Sequence, residues 1–144
     1  MDVLSTKLQF FVDLTIIQSK IKRTFDARLG INGVGLDDFI ILYVLSNSTD
    51  YQMERVELAI KIGLTTADLT RKLPSLEKIG LIEREDNPED IKKSKIRITE
   101  AGKKVYVYAT ESAQEKAIDL FPFRNNKELE GLIEVLNSIH EVSK

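Results

Sequence analysis

The segment "KKSKIR" gathers four basic side chains and no acid: Lys92, Lys93, Lys95 and Arg97. The whole chain is slightly acidic, with a formal net charge of -2, so this positive charge is local. Ammonium and guanidinium groups concentrated in this way can contact phosphates. A solvated loop is the alternative for such a segment, and the neighbouring Asp86, Glu89 and Asp90 weaken its positive field.

A second group of polar side chains recurs at helical spacing in "GLTTADLTRKLPSLEKIG". If Leu69 points inward and each residue advances by about 100°, Leu73 and Leu76 also point inward. Small and hydrogen-bonding side chains with one arginine suit the major groove of duplex DNA, where base edges and phosphates are accessible. A solvated helix face is the alternative. The outward residues that could contact DNA are Thr65, Thr66, Ala67, Thr70 and Arg71.

Pro74 lies in the middle of this helix. It has no amide hydrogen and its ring crowds the carbonyl of Thr70, a combination that costs about 3 kcal/mol in a helix interior. We expect a kink that separates a DNA-facing first half from a core-packing second half. The alternative is a proline tolerated on the surface of a short helix.

The composition offers little for catalysis or for a bound cofactor. The chain has no cysteine, its one histidine is His140, and the glycine-rich "GINGVG" lacks the lysine and hydroxyl residue of a phosphate loop. No signal sequence and no run of about 18 apolar residues is present. We therefore expect a cytoplasmic protein that is not an enzyme, needs no cofactor or metal and does not bind a membrane.

Apolar periodicity predicts the first helices. From Leu4 to Leu29 there is no glycine or proline, and apolar residues at helical spacing predict one long helix that is buried on two sides. Asp37 is a good N-cap for a second helix that ends near Leu45. After the polar loop "SNSTDYQ", the stretch "MERVELAIKIG" predicts a short third helix. The residues of that third helix expected to face the core are Val56, Ala59 and Ile60.

The middle of the chain predicts a helix-turn-helix followed by a hairpin. Thr65 is a good N-cap for a fourth helix from Thr66 to Ile79, which Gly80 ends. Beyond it, "LIERE" and "KIRIT" alternate in polarity as two strands around the turn-rich "DNPEDIKKS". Two short helices joined by a turn, followed by a charged hairpin, have the order of a winged helix.

The last part of the chain predicts two more helices. Thr99 caps the first, over residues 100 to 120, and the second runs from about Lys127 to Val142 with an apolar stripe. Together with the first helix, these stripes exceed what one small winged unit can cover. We therefore expect these three helices to form a two-fold dimer.

In element order the chain resembles the MarR-type winged-helix transcription regulators. The resemblance is densest from Leu64 to Gly102, where "LEKIGLIERE", "NPEDIKK" and "ITEAGKK" are similar to the end of the recognition helix, the wing and the start of the next helix. The wing of that family usually carries aspartate, any residue and arginine. Here Asp90, Ile91 and Lys92 keep the charge but replace the guanidinium fork by a point charge.

The resemblance implies a mainly α fold with a small β-hairpin wing (α+β), a winged helix-turn-helix with N- and C-terminal dimerisation helices. Residues 1–144 would form one MarR-like domain, with about 36–98 as the DNA-binding part and about 1–30 and 99–144 as the dimerisation helices. It also implies double-stranded DNA and a second copy of the chain as partners, and a small aromatic ligand as an effector.

The resulting hypothesis is a homodimeric regulator of transcription that binds duplex DNA in a sequence-specific way. The alternative is a winged-helix protein-protein interaction module without sequence-specific DNA binding. The residues predicted to contact DNA are Thr65, Thr66, Ala67, Thr70 and Arg71 on the recognition helix and Lys92, Lys93 and Lys95 on the wing.

Overall fold

The computed structural model describes residues 3–122 and 125–143 of the 144-residue chain, except for the side chain of Lys92. Its α-helices are α1 (Thr6–Leu29), α2 (Leu36–Ser46), α3 (Arg55–Ile62), α4 (Thr66–Lys78), α5 (Glu100–Leu120) and α6 (Asn126–Val142). Its strands are β1 (Gln52–Glu54), β2 (Ile82–Glu85) and β3 (Lys95–Ile98). The chain forms two compact units, one up to Ala113 and one from Gln114.

Helix α1 begins after Ser5, whose hydroxyl accepts a hydrogen bond from the Leu8 amide at 3.2 Å. The long uninterrupted helix is as predicted, but its two-sided burial is not found within this chain. Only Leu29 is buried, where the end of the helix joins the core, and Ile16 is 51% exposed. The apolar side chains of α1 from Leu8 to Ile21 are therefore each about one third to one half exposed in the single chain.

Helix α2 begins two residues earlier than predicted, and Asp37 is not its cap. Gly35 is the N-cap residue, and its amide donates to Oδ2 of Asp38 at 2.9 Å. The next amide, that of Leu36, donates to Oδ1 of Asp26 at 2.7 Å. A carboxylate on α1 therefore accepts a backbone hydrogen bond at the first residue of α2. The apolar run of α2 is buried, at Ile41, Leu42, Val44 and Leu45.

The segment before α3 differs from the prediction. The expected loop contains a 3-10 turn over Thr49–Tyr51, and the residues expected to start a helix at Met53 form β1. Met53 lies opposite Ile96 of β3, so hydrogen bonding to a distant strand replaces a local helical turn. Because α3 starts only at Arg55, its buried residues also differ from the predicted ones.

Two of the three α3 residues that we expected to face the core are not buried. Ala59 is buried as predicted, but Val56 is only half-buried and Ile60 is 58% exposed. The other buried positions are Leu58 and Arg55.

Helix α4 begins at Thr66 as predicted and ends at Lys78, one residue earlier than predicted, and the kink expected at Pro74 stays a prediction. The Thr65 hydroxyl accepts a hydrogen bond from the Asp68 amide at 3.1 Å, and the helix continues through Pro74 to Lys78. Its inward residues Leu69, Leu73 and Leu76 are fully buried. A left-handed glycine, Gly80 with φ of 79°, then turns the chain into the hairpin.

The wing is a small antiparallel sheet in the order β1-β3-β2, so β1 adds a third strand to the predicted hairpin. Ile96 and Ile98 of β3 are buried with Ile82 of β2, as their alternation predicted. Thr99 closes the sheet onto α5, because its hydroxyl donates to the Gly80 carbonyl at 2.6 Å and accepts from the Gly102 amide at 3.0 Å.

The first part of α5 belongs to the same core, through the buried Ala109 and Ala113. In the second unit, α6 has Asn125 as its N-cap and contains no buried residue. Among the described residues, no single helix is long and apolar enough to cross a membrane. The segments Thr6–Asn32 and Leu36–Ser46 are long and apolar enough only when they are taken together, and they are bent by 71° relative to each other.

Candidate nucleic-acid interface

The predicted recognition face lies on the exposed side of α4. Thr65, Ala67 and Arg71 are exposed, and Thr66 and Thr70 are half-buried at its edges. The opposite side of the helix is held in the core by three leucines, so this face has a fixed orientation. Contact of these five residues with DNA stays a prediction.

Arg71 is paired within its own helix. Its Nη2 atom donates to Oδ1 of Asp68, and both side chains remain largely exposed. Exposed pairs of this kind contribute about 0 to 1 kcal/mol, so a base or phosphate can compete for the guanidinium. Asp68 therefore orients the Arg71 guanidinium, which stays accessible for binding.

Thr70 is connected to a buried arginine on α3. Nη1 of Arg55 lies 3.4 Å from Oγ1 of Thr70, and the Arg55 amide donates to the Ser94 carbonyl at the base of the wing at 2.8 Å. The Arg55 side chain is almost completely buried. The sequence did not indicate this residue, because a helix starting at Met53 placed it among ordinary polar positions.

The wing lysines predicted to contact DNA lie in its 3-10 turn and on β3. Lys93 is exposed in the 3-10 turn Ile91–Lys93. The side chain of Lys92, also predicted to contact DNA, lies outside the part of the chain that the structure describes. On β3, the exposed Lys95 lies between two carboxylates in register, Glu54 on β1 and Glu85 on β2. These acids reduce the positive potential at Lys95, and contact of Lys93 or Lys95 with a phosphate stays a prediction.

Side-chain hydrogen bonds shape the tip of the wing. Oδ1 of Asn87 accepts from the amides of Glu89 at 3.0 Å and Asp90 at 3.2 Å. The buried Ser94 hydroxyl accepts from the Asn87 amide at 3.3 Å. These hydrogen bonds connect the tip of the wing to Ser94, the residue before β3.

A chain of ion pairs connects α4 to α1 and was not foreseen from the sequence. Nζ of Lys72 lies 3.1 Å from Oδ2 of Asp37, which lies 3.6 Å from Nζ of Lys22, and Lys22 contacts Oδ2 of Asp26 at 2.9 Å. The hydrogen bond to Asp26 raises the pKa of Lys22, and the Leu36 amide lowers the pKa of Asp26. Asp37 lies far from Lys22 and Lys72 in sequence, so residue spacing did not reveal its two ion pairs, whereas Lys22 and Asp26 form an ordinary i,i+4 pair on one helix.

Comparison with known proteins gives consistent matches. Residues 36–94 match the model of the MarR family. The chain is 29% identical over 96 residues to the HTH-type transcriptional repressor YetL of Bacillus subtilis (strain 168), a match that covers 67% of this chain and 58% of YetL. The chain thus spans little more than half the length of that curated relative.

Two solved structures extend the similarity over nearly the whole fold. The transcriptional regulator BldR of Sulfolobus solfataricus is 27% identical with a TM-score of 0.79, over 96% of this chain and 99% of BldR. The M. tuberculosis regulator MosR, solved in complex with DNA, is 20% identical with a TM-score of 0.75, over 92% of this chain and 96% of that one. These matches confirm the predicted winged-helix fold class.

Proposed function

We propose that this chain, whose residues 36–94 match the MarR family model and whose fold is similar to that of BldR, is a MarR-type winged-helix protein that regulates transcription by binding duplex DNA as a homodimer in the cytoplasm. The observation that carries this proposal is the exposed polar face of α4, whose other side is fixed in the core by Leu69, Leu73 and Leu76. A helix held in this way can enter a major groove with defined side chains toward the bases.

The two elements have different roles in this proposal. Thr65, Thr66, Ala67, Thr70 and Arg71 face the bases and nearby phosphates, whereas Lys92, Lys93 and Lys95 contact the backbone from the wing. Phosphate contacts position a protein on DNA and base contacts select the sequence, so α4 sets sequence choice and the wing contributes affinity. MosR, with the same fold, was solved in complex with DNA.

The proposed dimer is supported by apolar surface that each unit leaves accessible. On α1 the exposed apolar residues include Leu8, Phe11, Ile16 and Ile17, and on α6 they include Leu132, Ile133 and Leu136. We assign about 36–98 to DNA binding and about 1–30 and 99–144 to dimerisation. Light scattering at micromolar concentration should give twice the 16.4 kDa of one chain. A monomer would contradict the dimer.

A small aromatic effector is also part of the proposal. Phe39 and Tyr106 stack with their ring centroids 5.7 Å apart, and Tyr43 lies 6.4 Å from Tyr106 and is half exposed. An aromatic compound can extend such a cluster by stacking. Hydroxybenzoates should raise the melting temperature and change DNA affinity, and cyclohexanecarboxylate, which has no aromatic ring, is the control. Equal effects of both compounds would contradict an aromatic site.

A protein-protein interaction module is the second candidate, favoured by the carboxylates beside β3. The test that separates the two is DNA binding by fluorescence anisotropy. Genomic fragments, including the region upstream of the protein's own gene, are compared with random DNA of equal length over a range of salt concentrations. We expect one fragment to bind more tightly than random DNA, with an affinity that falls as salt rises. No binding to any fragment at low salt would favour the interaction module.

A further inference from the structure

Arg55 carries a charge that no described residue neutralises. It is the first residue of α3, its side chain is 3% exposed, and its Nη1 atom is 3.4 Å from the Thr70 hydroxyl. Its Nε and Nη2 atoms are also buried and have no hydrogen-bond partner among the described residues. No carboxylate among these described residues forms an ion pair with Arg55.

This arrangement is unfavourable for an isolated protein. An arginine side chain stays protonated in proteins, so burial cannot remove its charge. A buried charge without a counter-ion is strongly destabilising, and a cation at a helix N-terminus also opposes the helix dipole. Thr70 offers only a neutral oxygen. An anion brought close to this position would therefore be attracted.

The surroundings of Arg55 indicate where that anion would lie. Its side chain reaches Thr70 on α4, and its backbone amide donates to the Ser94 carbonyl where the wing turn meets β3. Arg55 thus lies under the surface between α4 and the wing. If α4 occupies the major groove and the wing lies beside it, a strand of the DNA backbone passes between the two elements.

Thr70 connects the buried charge to that surface. Arginine is only a donor, so the Thr70 oxygen accepts from Arg55 and its own hydrogen remains for another acceptor. No carbonyl in the described chain takes that hydrogen, although Thr15, Thr24 and Thr110 each donate to the carbonyl four residues earlier in their helices. Thr70 is half-buried, so part of the residue is accessible at the surface of α4.

We propose that Arg55 and Thr70 form a relay for one DNA phosphate, in which Arg55 is a positioning residue. The Thr70 hydroxyl donates to a phosphate oxygen while it accepts from the guanidinium, and the phosphate is the counter-ion of Arg55. The relay rests on the DNA-binding function proposed above, and it reassigns Thr70 from base reading to backbone contact. Its effect should be the same for all DNA sequences, because a phosphate carries no sequence information.

The test compares Arg55→Met, Thr70→Val and the double variant with the wild type, on preferred and random DNA over a range of salt concentrations. Arg55→Met should weaken both DNAs by about tenfold and flatten the salt slope by up to about one unit. It should melt at or above the wild-type temperature, since a buried unpaired charge is removed. Thr70→Val should give a similar loss, and the double variant should be little worse than either single one.

Lys104→Met is the matched control, because it removes one positive charge from an exposed position on α5. It should bind like the wild type. Arg55→Lys keeps the charge, so it should keep the salt slope and lose less affinity; it also covers the case in which Arg55→Met does not fold.

Two outcomes would overturn the relay while leaving DNA binding intact. The first is wild-type affinity in Arg55→Met or, if that variant does not fold, equal losses in Thr70→Val and Lys104→Met. The second is a loss in Thr70→Val confined to the preferred site, which would return Thr70 to base reading. Failure of the wild type itself to bind DNA would instead remove the proposed function.

Discussion

Arg71 is the side chain on α4 best suited to distinguish one base from another. It is exposed on the proposed groove-facing side, and its guanidinium can form two parallel hydrogen bonds to guanine O6 and N7. Arg71→Ala should cost about 1 to 3 kcal/mol on the preferred DNA and less on random DNA, so specificity should fall. Anisotropy titrations on both DNAs measure this ratio.

Lys78→Ala provides the comparison for Arg71, because Lys78 is an exposed cation at the far end of the same helix. It should change the ratio of preferred to random affinity much less than Arg71→Ala. An unchanged ratio in Arg71→Ala would show that this face does not read bases, and the interaction module would become the better hypothesis.

Gly102 is required by close packing between α5 and the turn before β2. A Cβ atom at this position would lie 2.2 Å from the Leu81 carbonyl oxygen and 2.7 Å from Cγ1 of Ile98. The backbone must therefore move, and Gly102→Ala should destabilise the fold by about 1 to 3 kcal/mol. The Thr99 cap, which binds the Gly102 amide, would be disturbed as well.

Gly131 makes a matched control for Gly102, since it also lies inside a helix but a Cβ there meets nothing within 4 Å. Gly131→Ala should stabilise α6 by about 0.5 to 1 kcal/mol, because alanine loses less conformational freedom than glycine in a helix. In thermal melts, the melting temperature should fall for Gly102→Ala and rise for Gly131→Ala. Equal melting temperatures would refute the packing explanation.

At the scale of elements, Asp26 stabilises the start of α2 from a neighbouring helix. The hydrogen bond from the Leu36 amide at 2.7 Å, aided by Lys22, lowers the pKa of Asp26 below its ordinary value of 3.8. A lowered pKa means that the folded state favours the carboxylate. The stabilisation is therefore complete above the unfolded pKa and is lost as pH falls through the folded pKa.

Asp26→Asn should consequently melt below the wild type near pH 7, and the difference should shrink as the pH falls below about 4. Melts at several pH values test this, with Asp119→Asn on the exposed side of α5 as the control for losing one carboxylate. A difference that stayed constant from pH 7 to pH 3 would mean that the charge of Asp26 has no part in holding α2.

The elements that the sequence predicted well are those whose signals are local. Helix α4 has its cap, its leucine stripe and its terminal glycine within one short segment, and the strands around "DNPEDIKKS" show their own alternation. Strand β1 could not be predicted in this way, because Met53 is held by its pairing with Ile96. The same non-locality hid the role of Asp26 at α2 and the burial of Arg55 behind Thr70.

At the scale of the whole molecule, the proposed dimer explains why α1 keeps so much apolar surface accessible. Apolar residues on α1 at helical spacing, such as Phe11, Ile17 and Ile21, are each about two fifths to one half exposed. Burying apolar surface stabilises an assembly by about 25 cal/mol per Å², so covering these side chains with a second copy is favourable. A two-fold dimer would also place two recognition helices on one DNA site.

Ile17→Glu should weaken this dimer, because it places a charge within the apolar stripe of α1. The expected mass approaches the 16.4 kDa of one chain, and affinity for the preferred DNA falls by more than about tenfold, since one half-site no longer raises the effective concentration at the other. Ser19→Glu, an exposed position two residues further on, adds the same charge about 200° around the helix and should remain dimeric. Light scattering and anisotropy on the same samples connect assembly with binding. If Ile17→Glu bound the preferred DNA as tightly as the wild type while running as a monomer, each chain would act alone on DNA, and the apolar face of α1 would have another purpose.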